Sequence, residues 1–122
     1  MDNQILIINH DQPARQAMRL LLENYAFGCK EADDGLEALA LLDGGLSVNA
    51  ILADYHMSML NVMDFLKALA YRVNGQGIHV ILLSRNLTKE MEQIVKQAGV
   101  FAIMAKPYDP EKLLAIVSQA CH

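Results

Sequence analysis

Short aliphatic runs without polar alternation constrain this chain most. Ile5 to Ile8 reads Ile-Leu-Ile-Ile, Ala50 to Ala53 reads Ala-Ile-Leu-Ala, and His79 to Leu83 is aliphatic after its first residue. A strand with one face in water alternates apolar and polar residues, whereas a continuous aliphatic run needs cover on both faces. These runs therefore predict strands in the middle of a parallel sheet. Phe101 to Ala105 is a further strand candidate, and Phe27 to Glu31 a weaker one.

Amphipathic segments separate the runs. Between Ala14 and Tyr25, Ala17, Met18, Leu21 and Leu22 recur at helical spacing, while Arg15, Arg19 and Glu23 take the other side. Pro13 suits the first turn of that helix, where its missing N–H costs nothing. Leu36 to Leu42 reads as a second helix closed by Gly44-Gly45, and Asn61 to Val73 as a third, stopped near Asn74-Gly75. Thr88 is a good N-cap for a fourth helix, Lys89 to Ala98, which Gly99 ends. Pro110 opens a fifth that runs to about Ala120. The result is a strand–helix unit repeated five times, a single domain over residues 1–122. Such alternation implies an α/β fold: a parallel sheet with helices on both faces. Functional residues in these sheets gather at the carboxyl ends of the strands. That rule selects Asn9, His10 and Asp11, then Asp54, Ser84 and Lys106.

Composition excludes several classes. Hydrophobic residues make up 53%, enough for a packed core. The formal net charge of -4 offers no broad basic field for nucleic acid. Cys29 and Cys121 stand far apart with no CxxC spacing, which argues against a zinc site or a disulfide framework. No apolar stretch approaches the roughly 20 residues of a membrane span. The opening MDNQILIINHDQ does not follow the pattern of a signal peptide, and the expected compartment is the cytoplasm.

From Ile5 to the end of the last helix the chain resembles the response-regulator receiver domain of two-component systems, of the chemotaxis-regulator (CheY-like) type. The residues that carry the resemblance are Ala32 to Leu39 (ADDGLEAL), Asp54 in ILADYHM, Ser84 in VILLS, Gly99, and Lys106-Pro107 in MAKP. Each is weak alone, but they fall in order, at the right intervals, with Asp54, Ser84 and Lys106 at predicted strand ends. The resemblance implies a five-stranded sheet of order 2-1-3-4-5, flavodoxin-like in plan. It implies that Asp54 accepts a phosphoryl group, that Lys106 neutralises phosphoryl oxygens, and that the Ser84 hydroxyl bonds one of them. It also implies a cis Lys106-Pro107 bond. A carboxylate at a strand end suits this work because it can attack phosphorus and form an acyl phosphate.

The departures bear on a metal. The family holds magnesium with an acidic pair at the end of the first strand, where this chain has Asn9 and His10. Magnesium prefers oxygen donors in near-octahedral geometry. The ligands expected here are Asp11, one residue further on, Asp54, and the backbone carbonyl of His56. A pocket with Asp54 facing Lys106 comes close to neutrality with no metal at all. His10 and His56 could also furnish nitrogen donors for a transition metal. Ser58 and Val62 replace a usual Pro and Gly in the loop after the acceptor. Arg85 follows Ser84 where a small residue is usual, and Ile103 stands in place of an aromatic whose rotation reports activation.

Two functions follow. In the first, a histidine kinase or phosphotransfer protein donates a phosphoryl group to Asp54. The new charge then switches a surface of the fourth helix, fifth strand and fifth helix (the α4-β5-α5 face) toward a downstream protein or output domain. In the second, the domain is a pseudo-receiver that binds a partner without phosphorylation. Neither reading makes it an enzyme beyond self-catalysed phosphoryl transfer and autodephosphorylation. A flavin site would want a glycine- and hydroxyl-rich loop after the first strand, and NHDQPA is not one.

Overall fold

The computed structural model describes residues 3–121. Five strands form one parallel sheet: β1 (Gln4–Ile8), β2 (Gly28–Ala32), β3 (Ala50–Asp54), β4 (His79–Ser84) and β5 (Ala102–Ala105), in the order β2-β1-β3-β4-β5. The helices between them are α1 (Gln12–Glu23), α2 (Gly35–Asp43), α3 (Val62–Ala70), α4 (Lys89–Gln97) and α5 (Pro110–Ala120). The expected architecture and strand order are both present.

The aliphatic runs are buried on both faces. Successive side chains point to opposite sides of a sheet. Leu6, Ile8, Ile51, Ala53, Val80 and Leu82 therefore pack with Phe65, Leu69 and Val95 of α3 and α4, and with Leu39 and Leu42 of α2. Ile5, Ile7, Leu52, Ile81 and Leu83 pack on the other side with Met18 and Leu22 of α1 and Leu113 and Val117 of α5. β2 is an edge strand, burying only Cys29 and Ala32, which is why its pattern was the faintest in the sequence. Cys29 sits in the α1–α5 layer, and burial pushes its thiol up to about 11.

Capping follows the residue types. Asp34, Asn61, Thr88 and Asp109 each accept a hydrogen bond from a backbone N–H in the first turn of the helix they precede. The third helix stops earlier than its apolar pattern suggests, at Ala70 rather than Val73. Arg72 leaves helical geometry, and a 3₁₀ turn at Val73–Gly75 follows. Gly75 closes against the helix so tightly that a Cβ there would lie 2.3 Å from the Leu69 carbonyl oxygen.

The loop between β3 and α3 contains the sharpest backbone feature. Met59 has φ 70° and is 73% exposed. The left-handed region costs an ordinary residue about 1–2 kcal/mol. Glycine avoids that cost but loses roughly 0.5–1 kcal/mol to chain entropy elsewhere. Since Met59 buries little, Met59→Gly should stabilise the domain by about 0.5–1 kcal/mol. Urea unfolding should show a higher midpoint with an unchanged slope.

Candidate functional site

The parallel register assembles the site. Ile8 pairs with Ala53, Asp54 with Leu83, and Ser84 with Ala105, so the carboxyl ends of β1, β3, β4 and β5 lie side by side. The residue after each strand, or its last residue, then faces a common edge. Asn9 follows β1, Asp54 ends β3, Ser84 ends β4 and Lys106 follows β5.

Asp54 is the centre. One carboxylate oxygen accepts the N–H of His56 at 3.1 Å, and the other accepts the Lys106 ammonium. The two side chains are only 13% and 17% exposed, so the ion pair is partly shielded from water. The Lys106–Pro107 bond is cis. The Lys106 N–H donates to the Ser84 carbonyl at 2.9 Å, which ties the end of β5 to that of β4.

Ser84 is fully buried, and its hydroxyl oxygen accepts the N–H of Asn86 at 3.3 Å. The hydroxyl stands at the expected strand end but is engaged by its own loop, not by Asp54. Reaching a phosphoryl oxygen requires that loop to rearrange.

An open cleft of about 1160 Å³ lies over Asp54. Asn9, His10, Asp11, Arg85 and Lys106 line its polar part, and Ala14, Ala17, Met18, Pro107 and Tyr108 its apolar wall. His10, Asp11 and Arg85 are exposed, and Arg85 lines the cleft together with Lys106. Burial raises the Tyr108 phenol above its ordinary range. The His56 ring is exposed and packs edge-on against Tyr55, with centroids 5.2 Å apart. Ile103 packs partly buried against the α2–α4 layer.

The β1–α1 turn is held by a residue that sequence reasoning assigned to the polar face of its helix. The Arg15 guanidinium folds back to donate to the Asn9 carbonyl at 2.6 Å, the Asp33 carboxylate at 3.2 Å and Glu31 at 2.7 Å. Arg19 holds the other Glu31 oxygen at 2.8 Å. Asn9, 4% exposed, uses its side-chain oxygen to accept the Asp11 N–H at 2.9 Å. The cluster of Glu31 and Asp33 on one side and Arg15 and Arg19 on the other was the available clue, but helical periodicity could not pair it across elements.

The donor set does not fit magnesium. At the ends of β1, β3, β4 and β5 only Asp54 is a carboxylate, Asn9 offers a neutral amide whose side-chain oxygen accepts the Asp11 N–H, and His10 offers nitrogen. Asp11 sits at the N-cap of α1 rather than at a strand end. Among the described residues, no three His, Cys, Asp or Glu side chains are grouped to hold a metal ion.

A buried-face parallel sheet with a carboxylate, an ammonium and a hydroxyl along its carboxyl edge defines a class of signalling domain. The chain belongs to the response regulator receiver domain family, whose model matches residues 5–118. It is 32% identical over 108 residues to the chemotaxis protein CheY-3 of Vibrio cholerae, covering 86% of this chain and 81% of that one. It is 32% identical over 114 residues to the transcriptional regulatory protein CpxR of Escherichia coli, covering 93% of this chain and 47% of that protein. It is 29% identical over 113 residues to the cyclic di-GMP phosphodiesterase response regulator RpfG of Xanthomonas campestris, covering 91% of this chain and 30% of that protein. The chain thus spans less than half of CpxR and RpfG. Among solved structures, the chemotaxis response regulator CheY4 of Vibrio cholerae superposes with a TM-score of 0.89 at 23% identity, covering 98% of this chain and 99% of that one. Among the described residues no helix is long and apolar enough to cross a membrane.

Hydrogen bonds from Arg19 and then Arg15 hold the Glu31 carboxyl below its ordinary 4.5. A lowered folded value gives stability that is present above the ordinary carboxylate range and is lost as pH falls through the lowered value. Glu31→Gln should therefore cost about 1–2 kcal/mol near neutral pH. The gap to the unsubstituted protein should close as unfolding is measured at progressively more acid pH.

Proposed function

We propose that the chain is a phosphoacceptor switch of a two-component system, with Asp54 as the acceptor. The observation that supports this best is the Asp54–Lys106 pair at the head of the cleft. Each Asp54 oxygen accepts one hydrogen bond and so retains lone-pair capacity for attack. Lys106 neutralises charge where phosphoryl oxygens gather.

The donor is the phosphohistidine of a histidine kinase or phosphotransfer protein. An Asp54 oxygen bonds to phosphorus as the phosphorus–nitrogen bond breaks, and the departing imidazole takes a proton from solvent. Water later cleaves the acyl phosphate, returning Asp54 and phosphate. The added charge, about -1.5 to -2 at neutral pH for a phosphomonoester, draws Ser84 and its loop toward Asp54. That movement biases the surface of α4, β5 and α5, where Ile94 is exposed. A downstream protein or output domain reads this surface, and the domain works in the cytoplasm.

Intact-mass measurement after incubation with acetyl phosphate tests the reading. A gain of one phosphoryl group that Asp54→Asn abolishes is the expected result. A folded protein that gains nothing with magnesium, with manganese or with chelator would instead favour a phosphorylation-independent interaction module, the reading that Asn9 and His10 suggest.

A further inference from the structure

We propose that the Asp54 cleft receives its phosphoryl group without a divalent cation, Lys106 and Arg85 supplying the positive charge. This rests on Asp54 being the acceptor.

Three observations carry it. First, the end of β1 offers a metal no carboxylate. Asn9 is a neutral amide whose side-chain oxygen accepts the Asp11 N–H at 2.9 Å and whose carbonyl accepts Arg15 at 2.6 Å. Arg15 also places a fixed positive charge on that carbonyl, an unfavourable neighbour for a dication. Second, the charges lining the cleft already balance. Asp11 and Asp54 stand against Arg85 and Lys106, so the lining is formally neutral with His10 uncharged. A pocket of three carboxylates and one lysine would repel a phosphoryl dianion until a dication entered, and this one does not. Third, Arg85 lines the cleft from the loop that follows Ser84. If the hydroxyl swings in, the guanidinium moves with it. A planar guanidinium can donate to two phosphoryl oxygens at once, which a small residue at this position cannot do.

The test is a pair of amide NMR titrations on the unmodified domain. One uses magnesium alone, the other beryllofluoride, a carboxylate-bound phosphoryl mimic, with chelator and with magnesium. Magnesium alone should leave the amides of Asn9, Asp54 and His56 unmoved. Beryllofluoride in chelator should shift those of Asp54, Ser84, Arg85 and Lys106, with an affinity that magnesium does not raise. Arg85→Gln, at an exposed position where the fold is not at stake, should weaken that binding by about tenfold, the loss of one charge-assisted hydrogen bond. Beryllofluoride binding only in magnesium, or saturable magnesium shifts at Asn9 and Asp54, would overturn metal independence and leave Asp54 standing as an acceptor. Absence of beryllofluoride binding in both conditions would also overturn it. Acetyl phosphate modification separately decides the acceptor role.

Discussion

Asp54, Ser84 and Lys106 come from segments 30 and 22 residues apart in the numbering, and only a fixed parallel register brings them to one edge. That register is set by burial on both faces. A slip of one residue would turn Ile5 and Ile7 from the α1–α5 layer to the α2–α4 layer and exchange every contact behind them. Stability of the core and alignment of the site are therefore one constraint. The hydrogen bond from the Lys106 N–H to the Ser84 carbonyl shows the coupling directly, since it belongs to the end of the ladder and also fixes the base of the lysine side chain.

On this scaffold the charges of the cleft are rearranged in a consistent way. The side chain that would have brought a carboxylate at position 9 is a buried amide, satisfied by the Asp11 N–H. The turn that carries it is fastened from behind by Arg15, itself satisfied by Glu31 and Asp33. The β1–α1 turn is thus held by an internal ion network. Asp54 in turn has a lysine as its counter-ion, in a setting dry enough for the pair to matter. Arg85 adds a second cation to the cleft lining.

Much of this was legible in the sequence because the signals were local. Aliphatic runs announced the buried strands β1, β3 and β4, and Thr88, read as the cap of α4, is where that helix begins. β2 was faint because an edge strand needs only Cys29 and Ala32 inside. The end of α3 differs by three residues because Val73, which looks like another apolar step of the helix, is 87% exposed in the 3₁₀ turn that ends on the close-packed Gly75. For the site, residue identities could be read but orientations could not. Arg15 was placed by helical spacing on the polar face, yet a long guanidinium reaches back to the β1 end. Ser84 was placed at its strand end, yet which partner its hydroxyl takes depends on the Asn86 N–H two residues on.

The claim on which the rest hangs is that Lys106, not a metal, is the resting counter-ion of Asp54. A double-mutant cycle with Asp54→Asn and Lys106→Met, unfolded by denaturant in chelator at neutral pH, measures it. A coupling energy of about 1–3 kcal/mol between the two positions is the expected result. Substitutions that add to within roughly 0.5 kcal/mol would contradict it.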